Sequence, residues 1–239
     1  MKRYTVVLFL FCAGFLFAQE SEVGGIRADQ LGISTAQQYL REISLDKFEY
    51  DGYWRAVMSS DQGYAYARLF EGSPAGKVPV VGEEDLNISD KYVLGTRVDF
   101  LHRGHSSVAL YPTHSIPIEG VTKTISVWVA GRNFNHELKV IIQDFFGRQF
   151  ELSLGKLNFQ GWKQLTVAIP PQEADGINGV VQRNYHYHNK IGIQVVGFRV
   201  VFDPAEAVGS YYVYLDDLRA VTDLFAEDDR EPDDMVDAW

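Results

Sequence analysis

Cysteine is almost missing from this chain: its 239 residues hold a single one, Cys12, inside the apolar leader. A product without that leader has no disulfide, no thiol nucleophile and no cysteine-ligated zinc. Positive charge is also sparse. Twenty-two Lys and Arg face 32 Asp and Glu, a formal net charge of −10, and no stretch gathers the basic residues together. Gripping a phosphate backbone takes a concentrated basic face, so nucleic acid is excluded as a partner. Beyond residue 18 no uninterrupted apolar run is long enough for a helical membrane span, so none is expected in the mature chain. A Gly-x-Ser-x-Gly elbow, a phosphate loop and a dinucleotide fingerprint are all lacking, which leaves catalysis unsupported by any motif.

What is present begins with an export signal. Lys2 and Arg3 precede an uncharged, mostly apolar run from Tyr4 to Phe17, and Ala18 stands just before polar Gln19 and Glu20. That layout predicts a secretory signal peptide over 1–18, cleaved near Ala18, rather than a membrane anchor. Its removal leaves 20 basic and 32 acidic residues, a formal −12.

Apolar residues make up 46% and charged residues 23%, the balance of an ordinary globular domain. Segment 19–47 reads as mixed. Within it, Ser34 could cap a short helix in which Ala36, Tyr39, Leu40 and Ile43 recur at helical spacing. From Phe48 the period shifts toward two. Ile125, Val127 and Val129 alternate with Thr124, Ser126 and Trp128; Leu138, Val140 and Ile142 follow, then Phe150, Leu152 and Leu154, then Leu165, Val167 and Ile169. Asp144-Phe-Phe-Gly147 has the residues of a type I turn, which would fold 138–143 back on 148–154. Further strand-like runs cover 191–202 and 211–219. The expected fold is all-β, an antiparallel β-sandwich or jelly roll over 48–222 with a minor N-terminal helix. Residues 223–239 form an acidic C-terminal tail. Its eight carboxylates are opposed only by Arg230, so it repels itself and has little apolar surface to bury.

Two constellations invite a metal. His186 and His188 are two apart and His102 and His105 flank Arg103-Gly104, but neither pair has the helical i, i+4 spacing of zinc hydrolases, and 184–189 reads as a polar loop packed with aromatics. Asp216 and Asp217 are adjacent, so on a regular strand they point to opposite faces and cannot work as an acid–base pair. A structural calcium ion at Asp216 or Asp217 is the one metal expectation, weighed against a carboxylate simply bonded to its own backbone. The aromatics are more informative. Trp128 and Trp162 lie opposite aliphatic strand faces, and Tyr212 and Tyr214 share a face opposite Tyr211, Val213 and Leu215. Such rings can form a platform for a protein partner or a glycan.

Four blocks, taken together, resemble a known family. They are Ile125-Ser-Val-Trp-Val-Ala-Gly-Arg-Asn-Phe-Asn-His-Glu-Leu138, Leu154 to Pro170 around Gly161-Trp162, Gly197-Phe-Arg-Val-Val-Phe-Asp-Pro204, and Gly209-Ser-Tyr-Tyr-Val-Tyr-Leu-Asp-Asp-Leu-Arg-Ala-Val-Thr-Asp223. As a set they are similar to the spirochaete flagellar filament outer layer (sheath) proteins, the FlaA family. The resemblance implies a carbohydrate-binding-module-like sandwich and a non-enzymatic role in filament architecture and motility. It implies the periplasm as location, and core flagellins and other sheath subunits as partners. It carries over no catalytic residue and no cofactor. The alternative is a periplasmic carbohydrate-binding module that stacks sugars on Trp128, Trp162, Tyr212 or Tyr214. A jelly-roll glycosidase or lyase is a weaker third reading.

Overall fold

In a computed structural model of the protein, the described residues are 39–83, 88–172, 179–182 and 192–224. They form twelve strands: β1 (Leu40–Asp46), β2 (Trp54–Met58), β3 (Gly63–Glu71), β4 (Tyr92–Phe100), β5 (Ser106–Pro112), β6 (Ile116–Ile118), β7 (Val121–Ala130), β8 (Glu137–Gln143), β9 (Gln149–Lys156), β10 (Trp162–Ala168), β11 (Ile193–Phe202) and β12 (Ser210–Asp223). The first sheet runs β10-β7-β12-β4-β3, and β1 pairs with the second half of β12. The other runs β2-β5-β11-β8-β9, with β6 on β11. Every strand pairing is antiparallel. The fold is an all-β sandwich.

The alternation seen in the sequence sets which faces meet. Ile125, Val127 and Val129 from β7 and Leu138, Val140 and Ile142 from β8 are all fully buried in the layer between the sheets. The predicted hairpin turn forms as expected. Gly147 donates its N–H to the Asp144 carbonyl at 3.0 Å, and Asp144 Oδ1 accepts from the N–H groups of Phe146 and Arg148. Gly147 takes φ 82°, a conformation that favours glycine. Phe48, Trp54 and Phe198 stack at one place in the core, with centroids 5.2 and 5.6 Å apart. The Trp54 indole donates to Asp46 Oδ2 at 2.8 Å.

The N-terminal helix is corrected where the structure describes it. Leu40–Asp46 is strand β1, running antiparallel to β12 from Leu40↔Asp223 to Asp46↔Leu218. Strand β4 pairs β12 only over Ser210–Leu215, which leaves the remaining backbone of β12 open on that side. Satisfying those groups outweighs a weak helical pattern, and Ile43 and Leu45 also fit an alternation that packs against the core. Among the described residues, sheet structure therefore already includes Leu40–Asp46, ahead of the expected boundary at 48. Residues 1–38, His186, His188 and the tail beyond Leu224 lie outside the described residues.

His136 is buried without access to solvent, among the rings of Phe134, Phe202 and Tyr211 at centroid distances of 4.5–5.2 Å. Its Nδ1 accepts the Asp203 N–H at 3.1 Å, so the neutral ring carries its proton on Nε2. Burial lowers this imidazole from 6.5 to about 4, with Glu206 and Asp203 pulling weakly the other way. Protonation therefore favours the unfolded chain, and the stability tied to the neutral ring is complete above 6.5 and lost as pH falls toward about 4. Denaturant unfolding of wild type and His136→Phe across that range should show a stability difference that shrinks with acidification. A difference independent of pH would mean that the ring does not titrate in this window.

Candidate functional site

The outer face of the first sheet carries the aromatics, and strand register decides which of them meet. Tyr66 of β3 lies opposite Arg97 of β4, which lies opposite Tyr212 of β12. The next row runs Arg68, Gly95, Tyr214, Ala130 and Trp162 across β3, β4, β12, β7 and β10. Residues two apart on a strand share a face, so these two rows sit side by side, with Phe70 of β3 next to the second. They enclose two adjoining depressions of about 550 and 560 Å³ that share Phe70 and Tyr214. The result is one groove across the sheet.

Its floor depends on a residue without a side chain. A Cβ at Gly95 would collide with the Phe70 ring and press on Tyr214. With hydrogen there, the two rings close edge-to-face over the strand at 5.6 Å and 76°. Three guanidinium groups rest on rings of this face: Arg68 over Phe70 at 4.3 Å, Arg132 over Tyr214 at 5.2 Å and Arg97 over Tyr212 at 5.9 Å. Arg97 is neutralised by Asp99 at 3.0 Å. The hydroxyl of Ser210, then Arg97, hold the Asp99 carboxyl below its ordinary value. Arg68 and Arg132 have no carboxylate partner among the described residues.

The other half of this outer face is covered. The segment from Gly72 to Glu83 crosses β7 and β12 as a strap. A Cβ at Gly76 would sit 3.1 Å from Trp128 Cη2. Lys77 Nζ reaches Asp216 Oδ2 at 2.6 Å and Asp90 at 2.5 Å. The Val78 carbonyl accepts from Arg219 at 2.5 Å, and Arg219 Nε also donates to Asp217 Oδ2 at 2.8 Å. Both aspartates are buried because β12 bulges there: Asp216 pairs with Trp128 but Arg219 pairs with Ser126, so β12 carries one extra residue. Asp217 absorbs it at φ 53°.

The sequence-predicted residues thus separate. Tyr212 (40% exposed), Tyr214 and Trp162 line the open groove. Trp128 does not offer an open platform; it is half-buried beneath the strap, whose glycine packs on its ring. Asp216 and Asp217 do not face apart as on a regular strand, since the bulge turns both toward the strap. The cations that meet them are Lys77 and Arg219, and no cluster of three metal-ligating side chains occurs among the described residues. His102 and His105 lie exposed between β4 and β5. Sequence reading missed Tyr66 (59% exposed), Arg68, Phe70, Arg97 and Arg132. A signal existed in β3, where Tyr64, Tyr66, Arg68 and Phe70 recur at period two.

The profile of the flagellar filament outer layer protein FlaA matches residues 24–230. This chain belongs to that family. It is 33% identical over 228 residues to a flagellar filament outer layer-like protein of Brachyspira hyodysenteriae, covering 94% of this chain and all of that one. It is 27% identical over 121 residues to the flagellar filament outer layer protein of Spirochaeta aurantia, half of this chain and 36% of that protein. Against the Treponema pallidum protein the figures are 33% over 106 residues, 44% of this chain and 30% of that protein. This member of the outer layer family therefore aligns with only about a third of the length of the last two. Among solved structures, the family 11 carbohydrate-binding module from Clostridium thermocellum in complex with a mixed-linked tetrasaccharide is similar. Its TM-score is 0.42 at 11% identity, over 77% of this chain and 97% of that one.

The strap makes a measurable demand. Burial pushes the Asp216 carboxyl up to about 7, while Lys77 pulls it down. In Lys77→Met the carboxylate loses its cation and is left to bind a proton or remain buried and charged. The variant should lose little stability at about pH 5, where Asp216 is neutral, and roughly 1.4 kcal/mol more by about pH 8, where the wild-type carboxyl has ionised beside Lys77 but the variant's stays protonated. Adding Asp216→Leu should recover most of the loss in denaturant unfolding. A loss that is the same at both pH values, or no recovery, would show that Lys77 does not hold the strap through Asp216.

Proposed function

We propose that this chain is a structural component of the outer layer of a periplasmic flagellar filament, acting by contact rather than by catalysis. The family match across residues 24–230 carries the reading. The positively charged N-terminus, apolar run and Ala18 support export to the periplasm with removal of the leader. The rings that line the groove, exposed Tyr212 and half-buried Tyr214 and Trp162, are the partner-contact residues on this reading. They offer contact area to core flagellins or neighbouring outer layer subunits at small entropic cost, while Trp128 supports the strap beside them.

Filaments sedimented from cells should contain the protein with Gln19 as its first residue. Cells lacking it should have thinner or mechanically altered filaments and impaired motility. Filaments that never contain it, and that are unchanged by its loss, would defeat the assignment. One observation favours a second reading, that the groove stacks sugar rings: Tyr66 and Tyr212 are open and flank Arg97. Binding on a glycan array that is abolished by Tyr212→Ala would support it.

A further inference from the structure

The groove poses an electrostatic question. A chain of net charge −10 keeps Arg68 and Arg132 exposed on ring faces, neither of them ion-paired to a carboxylate of the described residues, with Glu71 the one acidic residue lining the groove. Each cation gains from the ring beneath it, and without a salt-bridge partner each can still take up a carboxylate through charge-assisted hydrogen bonds. The same chain carries a segment of that composition. Residues 225–239 contain seven carboxylates against one arginine, with Phe225, Met235 and terminal Trp239 interspersed.

We propose that the groove receives the acidic C-terminal segment of a neighbouring copy, linking outer layer subunits head to tail. Arg68 and Arg132 pair with its carboxylates, and the rings of Tyr66, Tyr212 and Tyr214 hold its apolar side chains. The inference rests on the outer layer reading and names one partner within it.

Placement favours a neighbour over the same molecule. The groove lies at the start of β12, beside Tyr212 and Tyr214, whereas Leu224, the last described residue, lies roughly 30 Å further along the strand. Fifteen residues span at most about 50 Å, so reach alone does not forbid a return within one molecule. The return path along this face is blocked, however. The strap crosses it between the two points, held down through Asp216 and Arg219. A tail passing to another copy meets no such barrier. A contact between two different surface patches does not close on itself in a pair, so it propagates along an array. This link also relieves the repulsion that identical acidic copies would otherwise feel, by setting the most negative segment of one against the cationic groove of the next.

The test uses full-length exported protein in sedimentation velocity at low salt. Wild type should self-associate with rising concentration, and the association should weaken at least roughly tenfold near 0.5 M salt as charges are screened. The groove variant Arg68→Glu/Arg132→Glu and the tail variant Glu227→Lys/Asp228→Lys/Asp229→Lys/Glu231→Lys/Asp233→Lys/Asp234→Lys should each remain monomeric. The chain that combines both sets should associate again, because the two charge patterns are exchanged. Arg68 and Arg132 are exposed, and unchanged circular dichroism will confirm folding of every variant. A synthetic peptide of residues 225–239 should dissociate the wild-type array. Self-association that neither variant weakens, or failure of the combined variant to recover, overturns the proposal. So does tail binding that is independent of protein concentration, or a groove that binds saccharides but not the peptide. Filament sedimentation reads the outer layer assignment separately: variants that stay monomeric yet still sediment with filaments leave that assignment standing.

Discussion

The extra residue in β12 is the constraint from which the rest of this molecule follows. Before it, Tyr211, Val213 and Leu215 point into the core; after it, Leu218 and Ala220 do. A strand without the bulge would keep strict alternation, turning Leu218 and Ala220 outward and driving the Arg219 guanidinium between the sheets. The bulge keeps both halves of a fourteen-residue strand apolar on the same side. It does so at the cost of a left-handed Asp217 and two carboxylates out of water. Burying them is tolerable because Lys77 and Arg219 meet them at 2.5–2.8 Å. Those partners determine the rest: one comes from the strap and the other binds the strap's backbone, so the repair of the bulge is also what fastens the strap.

With the strap fastened, the outer face of the first sheet divides into two unlike halves. Under the strap, Trp128 is shielded, and Asp216 and Asp217 are ion-paired within the chain to Lys77 and Arg219. Beyond it, the rings stay in contact with solvent and the guanidinium groups stack on them without carboxylate partners among the described residues, Arg97 excepted. A two-sided sheet normally has one core face and one wet face. Here the wet face is itself half core, and the boundary between the halves forms one wall of the groove. The Gly95 gap then lets Phe70 and Tyr214 close together, so the groove has a firm apolar floor.

Much of the strand layout was legible because it depends on neighbours in sequence. Leu138, Val140 and Ile142 alternate, Asp144 and Gly147 mark the turn between strands, and both observations translate directly into β8, β9 and the hairpin. The Ser34–Ile43 stretch was misread where it is described, since a short segment can satisfy both periods and only the vacant side of β12 chose between them. Asp216 and Asp217 were misread for a related reason. Alternation was carried straight through them, and a bulge leaves no mark in composition or spacing. Trp128 lay on the expected face, but what covers that face comes from fifty residues earlier in the chain.

The sequence by itself determined that the protein is strand-built, acidic and a member of the outer layer family. These properties reside in composition, in local periodicity and in residues shared with relatives, and each can be read without knowing what touches what. Tertiary structure alone decided which aromatics are open and which arginines are unpaired, because both follow from register between strands distant in the chain. Arg68, Gly95, Tyr214, Ala130 and Trp162 form one row only once five strands are aligned, and no spacing along the chain encodes that row.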